Sequence, residues 1–417
     1  MQTTDKQNFL RAEAELVLEH ARKAKAERIK DLGSPITLPG LALDLHIRDN
    51  YAWIAENTHV IRKLDLETGK TSQLFKGHTA PVTAIAFCDK IKGSGDEKLL
   101  ISGSWDKTIK LWDVETKQVY STTDAHSDFI KALLVIPSLN LLVSSSSDKI
   151  VRFWDLSLLE EGKPLRSAGS ISAHTRPVES IAARTVSETS AILYTADTMG
   201  VIKVWQLDKE DGPAPRWKTT LKADLTHHRT KINEILYGNG QLWTASADET
   251  VQVYDDPPIE RPPGTKAPPP IAHSTAVRSL LPLSLTPLAE PYLLTGSGDI
   301  IRAYDVSSPD APELLGEVDG HWHDVTALRL WMRKTAVEGK EGKMKVEPWI
   351  VSASLDGTLR KWRLLELLTP GRQPGVEEKP KPAEAQDYAR SKTEKTTNPY
   401  SISEEEEREL AELLESD

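Results

Sequence analysis

The sequence predicts an all-β fold in which four-stranded units, or blades, close into a ring, the β-propeller architecture. Three observations predict it. A four-residue pattern recurs along most of the 417-residue chain. The aromatic positions of successive copies lie 42 to 58 residues apart, which is the length of one blade. Each copy also ends a short β-branched segment, as in SGSWDKTIKLWD at residues 102–113.

Each copy has a His ahead of an apolar segment and a Ser or Thr four residues before an Asp. A Trp or Tyr follows that Asp by five or six residues. The complete sets are His78, Ser102, Asp106 and Trp112; His126, Ser144, Asp148 and Trp154; His228, Thr244, Asp248 and Tyr254; His273, Thr295, Asp299 and Tyr304; and His321, Ser352, Asp356 and Trp362. A sixth, degenerate set has His174, Thr195 and Trp205, but Met199 stands at the Asp position. We therefore expect this blade to lack its turn acceptor.

A less regular unit, LALDLHIRDNYAWIAENTHVIRKLDLETGK, precedes these sets. It has strand patterning, and Leu-Asp at residues 64–65 occupies the Trp-Asp position. Leu41 replaces the His and Thr58 replaces the Asp. Counting this unit gives seven blades. We expect a strand near residues 34–39 to complete the last blade beside the strand of Trp362, since closure removes the open sheet edges.

On these motifs the sequence resembles the WD-repeat β-propeller family over roughly residues 36 to 366. The resemblance implies that the four residues of each set hydrogen-bond within one blade and are structural. We therefore interpret the recurring Ser, His and Asp as blade networks and not as a hydrolase triad. We expect no catalytic residue, no metal site and no cofactor, because His227 and His323 have too few neighbouring ligands in sequence to form a zinc site.

Composition limits the class of protein and of partner. The formal net charge is −10, but residues 404–417 alone hold eight acidic residues against Arg408. The predicted ring is therefore near neutral, which makes direct nucleic-acid binding an unfavourable hypothesis. Cys88 is the single cysteine, no apolar run could span a bilayer, and the first residues do not resemble a signal peptide. These features predict an intracellular protein of the cytoplasm, the nucleus or both.

Residues 1–33 are predicted to form an amphipathic N-terminal helix, ended by Gly33 and Pro35. Its apolar stripe has small residues at three- and four-residue spacing: Leu10, Ala14, Val17, Ala21 and Ala24. Two interpretations stay open at this point. The helix packs across the ring's own edge or bottom, or it binds a partner.

The predicted domains are the helix at 1–33, the propeller at 34–366, a disordered linker at 367–400 and a short acidic helix at 401–417. Within the ring, residues 255–270 contain seven prolines and predict an exposed loop. Residues 333–347 are polar and predict a mobile connection between strands. Ser403 and Glu406 form a capping box for the acidic helix.

Family resemblance implies a non-catalytic scaffold or adaptor that binds proteins at the top face around the central channel. The candidate top-face residues flank the repeat motifs: Trp105, Phe129, Lys131, Arg176, Arg229, Arg278 and Trp322. A second candidate surface is the apolar face of the tail helix: Leu410, Leu413 and Leu414. The alternatives are a substrate-recruiting adaptor of a ubiquitin ligase and a ribonucleoprotein assembly factor. We expect protein partners, no membrane and no small-molecule substrate.

Overall fold

The computed structural model describes residues 13–210, 212, 216–258, 268–336 and 344–369. It contains seven four-stranded antiparallel sheets. The innermost strand of each sheet contacts the innermost strands of the sheets on both sides, so the seven sheets close into a ring. The predicted seven-bladed propeller is therefore confirmed, and the irregular first unit is a true blade.

The strands of each blade run from the central channel outward and are called a, b, c and d. Blade 1 contains β2 (Ala42–Arg48), β3 (Tyr51–Glu56), β4 (Val60–Asp65) and β5 (Thr71–Lys76). Blade 2 contains β6 (Val82–Cys88), β7 (Leu99–Ser104), β8 (Thr108–Asp113) and β9 (Val119–Asp124). Blade 3 contains β10 (Ile130–Ile136), β11 (Leu141–Ser146), β12 (Val151–Asp155) and β13 (Arg166–Ile171). Blade 4 contains β14 (Val178–Ser187), β15 (Ser190–Asp197), β16 (Ile202–Glu210) and β17 (Arg216–Leu225).

The remaining blades are less uniform. Blade 5 contains β18 (Ile232–Gly238), β19 (Gln241–Ser246), β20 (Thr250–Asp255) and the short β21 (Ile271–Ala272). Blade 6 contains β22 (Val277–Pro282), β23 (Tyr292–Ser297), β24 (Ile300–Asp305) and β25 (Glu313–Val318). Blade 7 contains β26 (Val325–Ala336), β27 (Met344–Ser354), β28 (Thr358–Arg363) and, as its d strand, β1 (Ile36–Thr37) from the start of the ring.

The hydrophobic core lies between blades. Seven apolar clusters occur in the described residues, one at each blade boundary. The b strands are covered on both faces, and every residue of β7 and of β11 is buried. A strand buried on both faces reads as a run of apolar and small residues without the alternation of a half-exposed strand. This explains why segments such as LLISGS lack a two-residue period.

Strand β1 closes the ring as predicted. Ile36 pairs with Leu359 and Thr37 pairs with Thr358 across β28, and Leu38 N donates to Gly357 O at 2.8 Å. The two ends of the ring are thus joined within one sheet. β1 thus covers the outer edge of β28 at Thr358 and Leu359, and Gly33 O accepts the Lys361 amide beyond it, where an open edge would otherwise pair with another chain.

Helix α1 (Glu13–Arg28) is present, but the described residues of its predicted apolar stripe do not pack on the ring. Val17 is 64% exposed, and Ala21 and Ala24 are exposed as well. Leu10 and the side chain of Ala14 lie outside what the structure describes. The helix instead contacts blades 6 and 7 through its basic last turn, where Lys25 Nζ lies 2.6 Å from Asp299 Oδ2. Ionic contacts therefore determine which side of α1 faces the ring, and the narrow stripe of small residues does not.

A buried arginine holds the end of α1. Arg360 is 2% exposed, and its guanidinium donates to Ile29 O at 2.6 Å and also to Leu32 O. These carbonyls follow the helix, where the backbone lacks intrahelical donors. Gly33 then turns the chain with a φ of +69°, and a Cβ built there would lie 2.6 Å from the Trp362 ring. Glycine is required at this position for both reasons.

The structure places strand and helix residues in two segments where the sequence predicted none. Much of the insertion at 333–347 is not a loop, because β26 and β27 continue into it and pair Arg333 with Glu347. Helix α2 (Leu364–Leu368) extends past residue 366 and buries Leu367 against blade 6 and blade 7 residues. The rest of the linker, the acidic helix and residues 259–267 of the proline-rich segment lie outside the described residues. None of the helices in the described part of the chain is long and apolar enough to cross a membrane.

Candidate protein-interaction face

The four-residue sets of blades 2, 3 and 7 form one hydrogen-bonded series in each blade. In blade 2, His78 Nδ1 lies 2.7 Å from Asp106 Oδ2 and Nε2 lies 2.8 Å from Ser102 Oγ, which accepts the Trp112 indole N–H at 2.8 Å. The sets of His126 and His321 have the same arrangement within 0.3 Å. An imidazole protonated at Nδ1 donates to the Asp and accepts the Ser hydroxyl proton. These His and Ser side chains are therefore engaged in the blade and are not free nucleophiles or bases.

These networks define one end of the ring. The His lies in the loop that leads into a blade, and the Asp lies in the turn between its b and c strands. Because they touch, the entry loops and the b–c turns lie at the same end of the ring, which we call the top face. Burial alone would raise the pKa of Asp148, but the Ile150 amide and His126 hold this pKa below its ordinary value.

Blade 4 does not lack its turn acceptor, so this prediction is wrong. Met199 is 53% exposed, but Asp197 Oδ2 lies 3.3 Å from His174 Nδ1. Asp197 Oδ1 accepts the amides of Met199 and Val201 at 2.8 and 3.2 Å. Asp197 occupies the position of Ser104 in blade 2, two residues before the expected site. Its carboxylate therefore makes the contacts that Ser104 and Asp106 share in blade 2.

Blade 5 keeps only part of its predicted set. His228 contacts Asp248 at 3.0 Å and Thr244 at 2.7 Å. Tyr254 does not reach Thr244, because its hydroxyl donates to the Gln252 side chain. The Tyr254 ring instead stacks on His227 with 4.3 Å between centroids. Replacing Trp by Tyr thus removes the indole donor from this network.

Blade 6 departs further. Its b–c turn has two residues, Gly298 and Asp299, where blade 2 has three, and Asp299 pairs with Lys25 of α1 instead of with His273. His273 contacts Thr295 Oγ1 at 2.9 Å, Ile271 O at 3.2 Å and the Tyr304 hydroxyl at 3.3 Å. The shorter Asp-to-aromatic spacing in the sequence was the signal of this change.

Blade 1 uses an ion pair that the sequence pattern did not predict. Glu56 is fully buried and accepts two hydrogen bonds from the Arg62 guanidinium. Thr58 Oγ1 donates to the same carboxylate at 2.7 Å, and Arg62 also donates to Thr71. A buried charge requires such a partner. This pair takes the place of the His network that Leu41 and Thr58 cannot form.

Two predicted top-face residues come together. Trp105 follows strand β7 of blade 2, and Phe129 lies in the entry loop of blade 3. Their rings stack with 4.9 Å between centroids and 20° between planes, and they are 38% and 39% exposed. Trp105 N donates to Pro81 O, and Ser147 N donates to Phe129 O. The pair is thus an exposed aromatic surface held by ordered turns.

Lys131 and Arg278 belong to a feature that sequence reasoning missed. Every a strand has a bulge after its first residue, which leaves one residue out of register. We call these residues the bulge ring: Leu43, Thr83, Lys131, Glu179, Asn233, Arg278 and Thr326. All seven line the central channel, whose cavity is about 250 Å³. In blades 2 to 7 the bulge residue stands five positions after the blade's His, and this constant offset could have revealed it.

The bulge ring links neighbouring blades. Thr83 Oγ1 donates to Ile130 O and Asn233 Nδ2 donates to Val277 O, each at 2.7 Å. Glu179 lies 3.4 Å from Lys131 and 2.9 Å from Lys231. Arg278 lies 2.6 Å from Asp324 of the next blade. Lys131 and Arg278 therefore have structural partners as well as positions at the channel.

Deeper in the channel, three charged side chains cross between blades. Arg329 lies 3.2 Å from Glu234 and 3.9 Å from Asp44. Burial opposes ionisation of Asp44, but His46 and Arg329 lower its pKa to about 2. Burial raises the pKa of Glu234. Each carboxylate also accepts an amide of the following blade, Ile85 N for Asp44 and Leu280 N for Glu234. These contacts join blades 1, 5 and 7 around the channel.

The remaining predicted top-face residues lie in the entry loops of blades 4, 5 and 7. Arg176 and Arg229 are exposed on the entry loops of blades 4 and 5, and Trp322 is half-buried beside His323. His321 is held by Asp356 and Ser352, and His323 accepts the Asp324 amide.

Cys88 is buried, and burial raises the pKa of its thiol to about 12. The tail leucines Leu410, Leu413 and Leu414 lie outside the described residues.

Comparison with known proteins agrees with this geometry. Residues 69–113 and 117–155, which span the end of blade 1 and most of blades 2 and 3, match the family described as WD domain, G-beta repeat. The chain is a WD-repeat β-propeller protein. It is 26% identical over 383 residues to an uncharacterized WD repeat-containing protein of Schizosaccharomyces pombe, covering 87% of this propeller chain and 90% of the relative.

Two further similarities are narrower. Over 63 residues the propeller chain is 40% identical to the SAGA complex subunit Spt8 of Schizosaccharomyces pombe, which covers 15% of this chain and 11% of Spt8. The crystal structure of the computationally designed Ika8 protein is similar with a TM-score of 0.54 and 22% identity. That match covers 78% of this chain and 83% of Ika8, and it shows the fold alone. WD-repeat propellers are in general protein-interaction domains.

Proposed function

We propose that this WD-repeat protein is a non-catalytic scaffold or adaptor subunit that binds other proteins of a complex through its top face. The stacked pair of Trp105 and Phe129 is the observation that carries this proposal. Aromatic side chains dominate binding hot spots because they bury a large area with few rotatable bonds. The turns of the ring already fix both rings, so a partner would lose little entropy in ordering them.

The distribution of charge on the top face bears on the class of partner. Lys107 and Lys149 are exposed in the b–c turns beside Trp105 and Phe129. Around the channel, Glu179 pairs with Lys131 and Lys231, and Asp324 pairs with Arg278. The exposed positive charge of the described top face therefore lies on single side chains of separate loops, Lys107, Lys149, Arg176 and Arg229, and does not form the dense stripe that favours phosphate binding. This weakens the ribonucleoprotein alternative where it depends on direct contact with RNA.

The proposal includes a second surface in the acidic tail. Leu410, Leu413 and Leu414 are the only aliphatic residues among residues 404–417 apart from Ala411. An apolar face on so short a helix would be stabilised by docking into a partner groove. The similarity to a subunit of the SAGA complex supports membership in a multiprotein complex, with the nucleus as one compartment to test.

The test is quantitative affinity purification of the tagged full-length protein. The double variant Trp105→Ala and Phe129→Ala should lose one set of partners and keep its melting temperature within a few degrees, because both side chains are exposed. A matched control replaces Leu158 and Val186 with Ala, since these are 60% and 53% exposed away from the top face. The triple variant Leu410→Ala, Leu413→Ala and Leu414→Ala should release a different set. Unchanged partners in both the aromatic and the tail variants would contradict the proposal.

A further inference from the structure

The top face is not uniform around the ring. Within its described entry loops and b–c turns, the large apolar side chains that are exposed all belong to blades 2 to 4. The same blades carry exposed basic side chains that form no ion pair with any described residue. We call this part of the top face the basic–aromatic sector. Its members are Trp105, Lys107, Phe129, Lys149, Arg176 and Met199.

The loops of the other blades carry a different balance of charge. The acidic residues Asp299 and Asp319 of blades 6 and 7 pair with basic side chains of α1. Blade 1 has neither lysine nor arginine at residues 38–41 or 57–59. Blade 5 has the exposed acidic Glu249 in its b–c turn. Unpaired positive charge beside exposed apolar groups is therefore confined to blades 2 to 4 of the described top face.

Two lysines flank the stacked aromatic pair. Lys107 follows Trp105 by two residues in the same turn, and its carbonyl accepts two amides at the start of the loop that carries Phe129, at 3.1 and 3.2 Å. Lys149 lies in the turn that begins at Ser147, whose amide donates to Phe129 O at 2.9 Å. The two lysines share a left-handed backbone, with φ of +72° and +71°. Their backbones are thus fixed beside the pair while their side chains are exposed.

The exposed polar groups of the sector are mainly hydrogen-bond donors. Besides the ammonium and guanidinium groups, the Trp105 indole N–H has no acceptor in the described part of the chain. The turn carboxylates are not accessible, because the side chains of Asp106 and Asp148 are 9% and 4% exposed and accept amides of their own turns. Exposed cations beside apolar rings favour a ligand that offers carboxylates next to an apolar side chain.

Two further carboxylates lie close to the pair. Asp124 is exposed at the end of β9, the outermost strand of blade 2. Asp128 is half-buried, and its Oδ1 accepts the Phe129 amide at 2.8 Å. The exposed charge of Asp124 opposes an acidic ligand from the outer side of the blade. Removing this charge should therefore strengthen the binding of such a ligand.

We propose that the basic–aromatic sector binds an acidic segment of a partner protein. An aromatic or long aliphatic side chain of the segment packs on Trp105 and Phe129, and neighbouring carboxylates meet Lys107 and Lys149. This proposal rests on the proposed top-face function and names its partner's chemistry. Cations on separate turns fit single carboxylates better than the continuous phosphates of RNA. RNA and the chain's own acidic residues 401–417 are the competing occupants that the experiments below distinguish.

A library of random peptides displayed on phage identifies segments that need the aromatic pair. It is selected on the full-length protein and, in parallel, on the double variant Trp105→Ala and Phe129→Ala. Segments enriched only on the parent should combine an aromatic or long aliphatic residue with two or more acidic residues. Pair-dependent segments without acidic residues would overturn the proposal and keep the top face as a binding surface. If no segment depends on the pair, the proposal is also overturned, and partner purification then decides the top-face function by itself.

A synthetic peptide of the enriched sequence then measures the charges. The double variant Lys107→Glu and Lys149→Glu should weaken its binding about tenfold, because each exposed ion pair contributes modestly. Asp124→Asn should strengthen binding about twofold. Lys117→Glu is the matched control, since Lys117 is exposed, has a φ of +65° and lies in the c–d turn of blade 2, at the opposite end of the ring. It should change the affinity less than twofold.

Salt separates an ionic role of the lysines from a structural one. Raising the NaCl concentration from about 50 to about 500 mM should weaken peptide binding to the parent several-fold, because exposed charges are screened. Binding to the double lysine variant should depend much less on salt. A variant that lost affinity but kept the full salt dependence would show that the lysines only support the turns, and would overturn the proposal.

The remaining outcomes concern the other occupants. Equal affinity of the parent and the double lysine variant overturns the proposal. A random-sequence single-stranded RNA that binds as tightly as the peptide, and is lost in the lysine variant, overturns it in favour of nucleic acid. At least fivefold tighter peptide binding by the triple variant Leu410→Ala, Leu413→Ala and Leu414→Ala overturns it in favour of the chain's own tail. If affinity purification loses partners with the aromatic variant and none with the lysine variant, the proposed function stands and the acidic partner does not.

Discussion

Asp197 makes in one side chain the contacts that two residues make in the other blades. Its carboxylate accepts the turn amides of Met199 and Val201 and also reaches His174. Ser104 and Asp106 divide the equivalent contacts in blade 2, where Ser104 accepts the Asp106 amide and Asp106 accepts the Thr108 amide. A carboxylate has two oxygens with several lone pairs, and this makes the replacement possible.

The first prediction follows because Asp197 makes the turn contacts that Ser104 and Asp106 make in blade 2. Asp197→Ala should leave His174 and the turn amides unsatisfied and cost about 1 to 3 kcal/mol. Asp106→Ala in blade 2 should cost a similar amount, whereas Met199→Ala should lie within about 0.5 kcal/mol of the parent, because Met199 is exposed. Thermal unfolding of the three variants measures the difference. A larger loss for Met199→Ala than for Asp197→Ala would contradict the assignment.

His273 leads to a prediction about pH. Burial and the nearby Arg302 lower its pKa to about 4, although the Ile271 carbonyl opposes this shift, and no carboxylate contacts this histidine as in the other blades with a motif His. The unfolded chain binds a proton at this histidine below about pH 6.5, while the folded ring keeps the side chain neutral until about pH 4. The stability that this group contributes is therefore complete above about pH 6.5 and is lost as the pH falls toward 4.

Thermal unfolding between pH 7 and pH 4.5 tests whether the contribution of His273 to stability falls as the pH falls. The His273→Gln variant should lose less stability than the parent as the pH falls, because one titrating group is gone. Burial also lowers the pKa values of His126, His228 and His321, so a general loss on acidification remains in both proteins. Parallel melting curves for the variant and the parent across this range would show that His273 does not titrate as described.

The repeat pattern predicted most residues of the four-residue sets, because the length of the strands fixes the spacing between these residues. The pattern failed in blade 4, where the carboxylate that contacts the His lies two residues earlier, at Asp197. It also failed in blade 1, where an ion pair of Glu56 and Arg62 replaces the His network. It failed for Asp299 because a turn one residue shorter redirects the side chain toward α1. A fixed offset in sequence cannot anticipate a different side chain that reaches the same partner.

At the scale of the element, α1 shows the limit of hydrophobic periodicity. The described residues of its predicted stripe, Val17, Ala21 and Ala24, are exposed. The helix contacts the ring through Lys25 and Arg28, which pair with Asp299 and Asp319, and Ile29 is buried just after the helix. The partners of these side chains lie more than 250 residues away in sequence. No pattern within the helix could have identified them.

The third prediction concerns this contact. Arg360→Met should release the end of α1, because the carbonyls of Ile29 and Leu32 lose their buried donor. Faster hydrogen exchange at residues 16–29 is the expected result. Lys23→Ala is the control, since Lys23 pairs only with Glu19 of its own helix among the described contacts and is exposed. Unchanged exchange in the Arg360 variant would mean that the ionic contacts alone hold the helix.

At the scale of the whole molecule, the ring has no blade that is independent of its neighbours. The apolar clusters lie between blades, and side chains of the innermost strands reach across to the backbone of the next blade. Blade 7 depends on both ends of the propeller sequence, because β1 supplies its outer strand. The closure could be predicted from sequence. Six motif-bearing units and one irregular unit make seven blades, and the last blade lacks an outer strand unless the residues before the first blade supply it.

The last prediction tests this closure. Removing residues 1–38 should expose the edge of β28 and lose the burial of Leu38, which is 7% exposed. Burial of one leucine contributes about 1.5 to 3 kcal/mol, and the freed edge favours association with other chains. The control removes residues 1–28, which takes away α1 but keeps β1 and the chain that Arg360 binds. We expect a clearly lower melting temperature and concentration-dependent association for the longer deletion only. If both deletions melt alike and stay monomeric, β1 does not hold the ring closed.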